Sequence, residues 1–412
     1  MQSSDNKKIF VFLGGNNFWE GLFDTNNIKF IKNLFELKMA DFSHILMTII
    51  TPKQLSFDQH KILLEKKTQL KKIAHHYGAT IDFCHINGRT IRNLLSASKE
   101  IFQKTNAYEK RYIWSQNYYN CLLGTLVKKQ LPDSYLHFEL LGLVPEEELY
   151  YSESNVVFRL AKFLVLKIIG RIDLKFSDSV SVVSKRFKEY IISKYHLRPG
   201  TVDITPCVYD DKIFFPSQEA RTRFRSKYGI NDHQKLVLYS GMLQKWQKPD
   251  VLFAFIKKLQ MQDVHQAFRF MIMTFDQEKA RQYASKYEIK HLIIDAGSGD
   301  DLNGVYNAAD IGISCRSSDL VSKVSSPVKI PEYLATQNSL VLLESIGDFG
   351  IDLKTKDYAL VKKDNKDLLN TTLEEINRLK KPDSIDLNDI FNKYCLQGNT
   401  HIFKRILEKQ KS

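Results

Sequence analysis

Cysteine is scarce in this 412-residue chain, and none of it is spaced as a metal or redox pair. Cys84, Cys121, Cys207, Cys315 and Cys395 are scattered, mostly within apolar runs, which predicts reduced, buried thiols and a reducing, cytoplasmic setting. No apolar run is long enough for a membrane-spanning helix. The nearest, residues 156–169, is interrupted by Arg159, Lys162 and Lys167. The opening MQSSDNKKIFVFLGG has too short an apolar core for a secretory signal and no small-residue cleavage site. The phosphate loop GxxxxGKS/T, the zinc motif HExxH and the nucleophile elbow GxSxG are all missing. His75 and His76 have no third ligand beside them, so no metal is expected, and no carboxylate pair stands out as a hydrolase dyad. Short-period repeats and low-complexity segments are absent as well.

What is present is the composition of a soluble globular protein, 43% hydrophobic and 26% charged. The length exceeds one comfortable core, so two domains are expected. A net charge of +13 points to anionic partners: nucleotide phosphates, anionic lipid headgroups or nucleic acid. The last ranks lowest, because no basic-aromatic motif accompanies the charge.

Along the chain, short apolar runs alternate with helical patterns, the rhythm of a parallel sheet wound on both faces. The first run, KIFVFL at Lys8–Leu13, stops at Gly14-Gly15-Asn16-Asn17, where glycine lets a ligand or a backbone come close. The helix predicted at Phe57–His76 carries Lys66, Lys67, Lys71 and Lys72, either a solvated face or a lipid-facing patch. In the strand at 134–139, His137 and Glu139 share one face near the carboxyl end, where parallel sheets bind ligands. The helix at 156–169 is apolar on most sides, so it lies between layers or on a membrane surface; burial with a basic rim is expected. Turn-rich residues 207–216 suggest a linker. The resulting division is an N-terminal domain over 1–210, a C-terminal domain over 211–395, and a terminal helical segment, 396–412, able to pack back on the first domain.

The second half repeats the rhythm and holds the phosphate-friendly parts. Gly241, Lys245 and Lys248 follow the strand at 236–240. Arg316 opens the loop after the strand at 310–315, and SSPVKIPEYL at 325–334 leads into a helix. A helix start offers unpaired N–H groups and partial positive charge. Ser325 and Ser326 add donors, Pro327 stiffens the turn, Lys329 brings a full charge, and Glu332 supplies an acceptor for a ribose diol. An ordinary capped helix behind a buried strand is the plainer alternative. Two basic loops at corresponding strand ends favour a seat for a nucleotide diphosphate.

The segments YSGMLQKWQKPD (239–250), VYNAADIGIS (305–314) and SSPVKIPEYLAT (325–336) resemble the retaining glycosyltransferases of family 4. FELLGLVPEEE (138–148) is similar to a segment of members that build surface polysaccharides. The resemblance implies the GT-B fold, two Rossmann-like doubly wound domains facing across a cleft, with donor bound by the C-terminal domain and acceptor by the N-terminal one. It assigns donor contacts to Gly241, Lys245, Lys248, Arg316, Ser325, Ser326, Lys329 and Glu332. It places Gly15 and Asn16 near the reacting centre and His137 or Glu139 on the acceptor side. Met242 stands where the family often has arginine, Gln247 where it has lysine, and Val324 where many members have a first glutamate; Glu139 and Leu141 replace an aspartate and an arginine.

The expected function is therefore transfer of a sugar, with retention, from a nucleotide-sugar to a glycan or lipid-linked acceptor. No cofactor or metal is expected, and membrane-surface contact through the basic N-terminal domain is allowed for. An epimerase of the same shape would alter the donor without any acceptor. A pseudo-transferase, suggested by Met242 and Val324, would ignore every nucleotide.

Overall fold

A computed structural model describes residues 8–14, 18, 23–39, 42–88, 90–297 and 299–409. The chain divides into two compact units: Met1–Val182, Ile191–Thr205 and Thr400–Ser412 in the first, and Val183–Tyr190 with Pro206–Asn399 in the second.

In the first unit, β1 (Lys8–Leu13), β2 (His44–Thr51), β3 (Thr80–Asn87), β4 (Lys110–Gln116), β5 (Tyr135–Leu140), β6 (Ser179–Val182) and β7 (Val202–Ile204) form one sheet. Their order is β3-β2-β1-β4-β5-β6-β7, and every pairing is parallel. Strands covered on both faces read as unbroken apolar runs, which is why KIFVFL and HILMTII stand out in the sequence. The helices are α1 (Lys29–Glu36), α2 (Phe57–His76), α3 (Ile91–Thr105), α4 (Tyr118–Gln130), α5 (Val144–Tyr151) and α6 (Val156–Phe176). Helix α7 (Lys185–Tyr195) is shared, its residues up to Tyr190 belonging to the second unit. A capping box between Ser56 and Gln59 starts α2.

Helix α6 corrects the expectation of burial with a basic rim. One apolar stripe faces out, with Val157 78% exposed and Leu160, Leu164, Val165 and Ile168 exposed as well, while Leu166, Ile169 and Leu174 are buried. Three of its charged side chains instead reach α5. The Lys167 ammonium pairs with Glu146 at 2.5 Å, Lys162 pairs with Glu148 at 2.7 Å, and Arg159 donates to the Leu149 carbonyl. Among the described residues no helix is long and apolar enough to cross a membrane.

The second unit holds β8 (Lys235–Ser240), β9 (Phe268–Met273), β10 (Leu292–Asp295), β11 (Ile311–Ser314), β12 (Ser339–Leu343) and β13 (Ala359–Lys362). Their order is β10-β9-β8-β11-β12-β13, again with all pairings parallel. Its labelled helices are α8 (Gln218–Lys227), α9 (Pro249–Gln262), α10 (Gln277–Lys286), α11 (Asp300–Ala308), α12 (Leu320–Val324) and α13 (Lys329–Ala335). Sequence patterning misses α8 because the helix is anchored by charge. Arg221 and Arg225 grip the two oxygens of Asp310 at 2.7 and 3.1 Å, while Asp310 also accepts the Leu236 N–H. The loop expected at 316–324 contains α12, capped by the Asp319 carboxylate on the Ser322 N–H.

The terminal helical segment is preceded by another helix, the two running Ser384–Tyr394 and Leu396–Glu408. The break falls at Cys395, which forms a parallel bridge with Tyr209. From Thr400 the last helix belongs to the first unit. There the Tyr112 hydroxyl donates to the Ile406 carbonyl, and Arg405 and Lys409 pair with Asp203 at 3.1 and 2.6 Å.

Candidate active site

In the second unit the basic loop after β8 and the segment leading into α13 are tied to each other through the carboxyl ends of β8 and β11. The Ser240 N–H at the end of β8 donates to the Tyr333 hydroxyl of α13 at 2.7 Å. The Tyr333 ring packs 4.7 Å from Tyr306, whose hydroxyl donates to Glu332 at 3.3 Å. Glu332 is buried and lies 3.2 Å from the Lys329 ammonium, which in turn sits 6.0 Å over the Tyr306 ring. Glu332 and Lys329 are thus linked through Tyr306 and Tyr333 to Ser240, the residue before Gly241.

The basic loop is fixed at both ends. Gly241 follows β8 with φ +145°, a conformation that side-chain-bearing residues rarely adopt. The Leu243 N–H donates to Asp276, and Lys279 donates to the Leu243 carbonyl, which anchors the loop to the start of α10. A short 3-10 turn, Lys245–Gln247, leads to Lys248, left-handed at φ 48°, and Pro249 then opens α9. The Ser317 N–H donates to the Trp246 carbonyl at 2.8 Å, tying the basic loop to the loop that Arg316 opens. Burial pushes the Cys315 thiol, just past the end of β11, up to about 12, with the Lys248 ammonium opposing the rise. Burial likewise pushes the Tyr239 hydroxyl up, with the Arg316 guanidinium among the groups acting on it. Lys245 is exposed on the same turn.

The serine loop is braced from behind. Ser325 donates through its hydroxyl to the Ser322 carbonyl at 2.8 Å, and the Ser326 hydroxyl accepts the Cys207 N–H at 3.3 Å. Gly347, at φ +46°, presses so close that an added Cβ would lie 1.9 Å from the Ser325 carbonyl oxygen. Val324 is buried, its carbonyl accepting the Ser184 hydroxyl, so a loop backbone bond occupies the place of the family's first glutamate. Sequence reasoning misses Tyr306, Tyr333 and Ser317. Tyr333 lies within SSPVKIPEYL, but nothing in spacing shows that its hydroxyl reaches β8.

In the first unit, Gly15 and Asn16 lie outside the described residues. His137 is corrected from an acceptor-side group to a structural histidine. It has no solvent exposure, and its ring nitrogens bond to the Ser179 and Ser181 hydroxyls at 2.7 and 2.9 Å. Its register partner Trp114 packs 4.2 Å away with the rings tilted, and Phe403 of the last helix stacks on Trp114 at 6.1 Å. Burial holds the His137 imidazole down to about 3, with Lys409 adding to the effect. Glu139 shares that face and accepts from Trp114 Nε1 at 2.8 Å and Gln116 Nε2 at 2.9 Å. Burial raises its carboxyl, and the two donors oppose the rise.

Two Rossmann-like units of this kind in one chain are the GT-B fold of glycosyltransferases, and the solved structures that share it are full-length matches. HepE of Anabaena, in complex with UDP and glucose, aligns with a TM-score of 0.67 at 11% identity over 98% of this chain and 100% of that one. A glycosyltransferase from Rickettsia africae gives 0.67 at 15% identity over 98% of each chain. An Escherichia coli trehalose-6-phosphate protein bound with UDP-2-fluoro glucose gives 0.62 at 10% identity, covering 98% of this chain and 99% of that one. No family model matches the sequence. No curated protein matches it either.

Proposed function

We propose that the protein is a retaining, family 4-like hexosyltransferase. It moves a sugar from a nucleotide-sugar to a glycan or lipid-linked acceptor in cell-surface polysaccharide synthesis. One observation supports the reading: Lys329 and Glu332 are tied through Tyr306 and Tyr333 to the carboxyl end of β8, where Gly241 opens the basic loop, and such strand ends are where open α/β sheets bind ligands. The neighbours solved with UDP or UDP-sugar support a nucleotide-sugar donor, and they favour transfer over epimerisation.

In this scheme Lys245, Lys248, Lys329 and Arg316 neutralise the leaving diphosphate, with donors from the Ser325–Ser326 turn, so no metal is required. Charge that develops on a departing diphosphate is best stabilised by donors already in place, which typically form the largest catalytic contribution. Tyr306 holds Glu332 as acceptor for the ribose diol. The departing diphosphate takes up the acceptor hydroxyl's proton, and the acceptor oxygen bonds to the anomeric carbon on the face the diphosphate leaves, as the sugar–phosphate bond breaks. Glu139, with Gly15 and Asn16, serves the acceptor side.

The outward apolar face of α6 supports a cytoplasmic protein held on an anionic membrane surface. The helix carries Arg171 and Lys175 exposed beyond the apolar stripe, and its one carboxylate, Asp173, is buried. A second copy of a chain with net charge +13 is a poor occupant of such a face.

A panel of nucleotide-sugars, followed by release of free nucleotide with and without acceptor, tests the activity. Release that needs acceptor is expected. Donor altered without acceptor would establish the epimerase, and calorimetric silence toward every nucleoside diphosphate would establish a non-enzymatic role.

A further inference from the structure

The first unit contains a cavity of about 540 Å³ at the carboxyl ends of β2 and β3, walled on one side by α2. Thr51 and Asn87, register partners at those strand ends, both line it. The Thr51 hydroxyl donates to Asn87 Oδ1 at 2.8 Å, which leaves the Asn87 amide N–H groups as donors. Lys53 enters from the loop after β2, His60 and Lys67 from α2, and His85 from β3. His60 and Lys67 are seven residues apart, two helical turns, and so share one face.

Among the described residues no carboxylate lines this cavity. Among the described residues Lys53 has no ion-pair partner, and the Lys67 ammonium sits over the Phe83 ring at 5.2 Å. Burial, then the like charges of Lys71 and Lys104, pull Lys67 below its ordinary range. Burial and Lys67 do the same to His85, against Glu100 of α3, which acts from outside the lining and is paired with Lys104 at 3.1 Å. Cations crowded together without a counter-carboxylate repel one another, and an incoming anion relieves that repulsion.

We infer that this cavity is a seat for a phosphate-bearing group, a phosphomonoester or diphosphate, on the acceptor side of the reaction. Two ammonium groups, an amide N–H and two imidazoles approach from different elements, which suits a tetrahedral group with several acceptor oxygens better than a planar carboxylate. The volume lies within the range that takes a small-molecule ligand. The assignment to an acceptor rests on the transferase reading; the anion site itself does not.

The experiment titrates inorganic pyrophosphate into the full chain by calorimetry at low salt. It compares the unaltered protein, a Lys53→Ala/Lys67→Ala pair, Lys67→Arg, and Lys329→Ala of the second unit. Unchanged thermal unfolding midpoints certify the fold. With a saturating nucleoside diphosphate occupying the second unit, the pair is expected to lose at least about 100-fold in pyrophosphate affinity, two charge-assisted bonds being removed, whereas Lys67→Arg retains binding. Equal affinity in the paired variant, or no pyrophosphate binding in the unaltered protein, overturns the site. Farnesyl diphosphate separates the sources. Tighter binding than pyrophosphate, still dependent on Lys53 and Lys67, supports a lipid-linked acceptor; equal binding overturns the acceptor assignment. A failed transferase reading shows itself separately, as nucleoside diphosphate binding that is indifferent to Lys329.

Discussion

Replacing Lys329 by methionine keeps most of the side-chain stem and deletes its charge. The ammonium is one-third exposed and lies 3.2 Å from a Glu332 carboxylate that is only 9% exposed. Without it Glu332 keeps the Tyr306 hydroxyl at 3.3 Å. Solvent screening of the lysine limits the cost in stability to about 1 kcal/mol. The cost in ligand binding is larger, because a charge-assisted hydrogen bond to phosphate is worth about 1.5–3 kcal/mol. Affinity for a nucleoside diphosphate should therefore fall by roughly 10- to 150-fold. Turnover should fall further, by about 100- to 1,000-fold, since the diphosphate gains charge as it departs. Calorimetry gives the affinity, nucleotide release gives kcat and KM, and chemical denaturation shows whether the fold is intact. Unchanged turnover with an intact fold would refute the claim that this cluster holds the leaving group.

Stability should also reveal His137. Its imidazole titrates at about 3 when folded against an ordinary 6.5, so the folded chain takes up no proton there while the unfolded chain does. The contribution is complete above pH 6.5 and is lost as pH falls toward 3; by pH 5 it is down about 2 kcal/mol. The difference in unfolding free energy between the unaltered chain and His137→Gln should narrow by that amount from pH 7.5 to 5, and parallel pH profiles would contradict the buried, neutral ring. Gly347→Ala forces a Cβ into the Ser325 carbonyl at positive φ, so a loss of about 2–4 kcal/mol together with weaker nucleotide binding is expected from denaturation and calorimetry. Leu164→Asp with Ile168→Asp on α6 should leave the unfolding midpoint unchanged, yet weaken flotation with vesicles of phosphatidylcholine and phosphatidylglycerol by roughly 30-fold or more. Equal flotation would remove the lipid surface as the occupant of that face.

Residues that bury themselves by one simple rule are legible in the sequence. Parallel strands covered on both faces leave contiguous apolar runs, and most strands start or stop within two residues of the runs that announce them. Helices held by other means are not legible in this way. Helix α8 is gripped by arginines on Asp310, and the last two helices part at Cys395, where a bridge to Tyr209 takes over. The loops after β8 and β11 are legible because glycine and serine at the end of an apolar run mark a turn. The tyrosines that join those loops are not, since their bonds cross about 90 residues of chain, from Ser240 to Tyr333.

Local chemistry, written in the order of residues, determined the alternation of strand and helix, the two sheets and the loops rich in phosphate donors. Tertiary packing alone decided which way each side chain points. Periodicity records that α6 has two faces without saying which one is buried, and it puts His137 and Glu139 on one side of a strand without showing that Trp114 packs on His137 and Phe403 on Trp114. A pattern along one element is a relative statement; direction requires the neighbour against which the element packs.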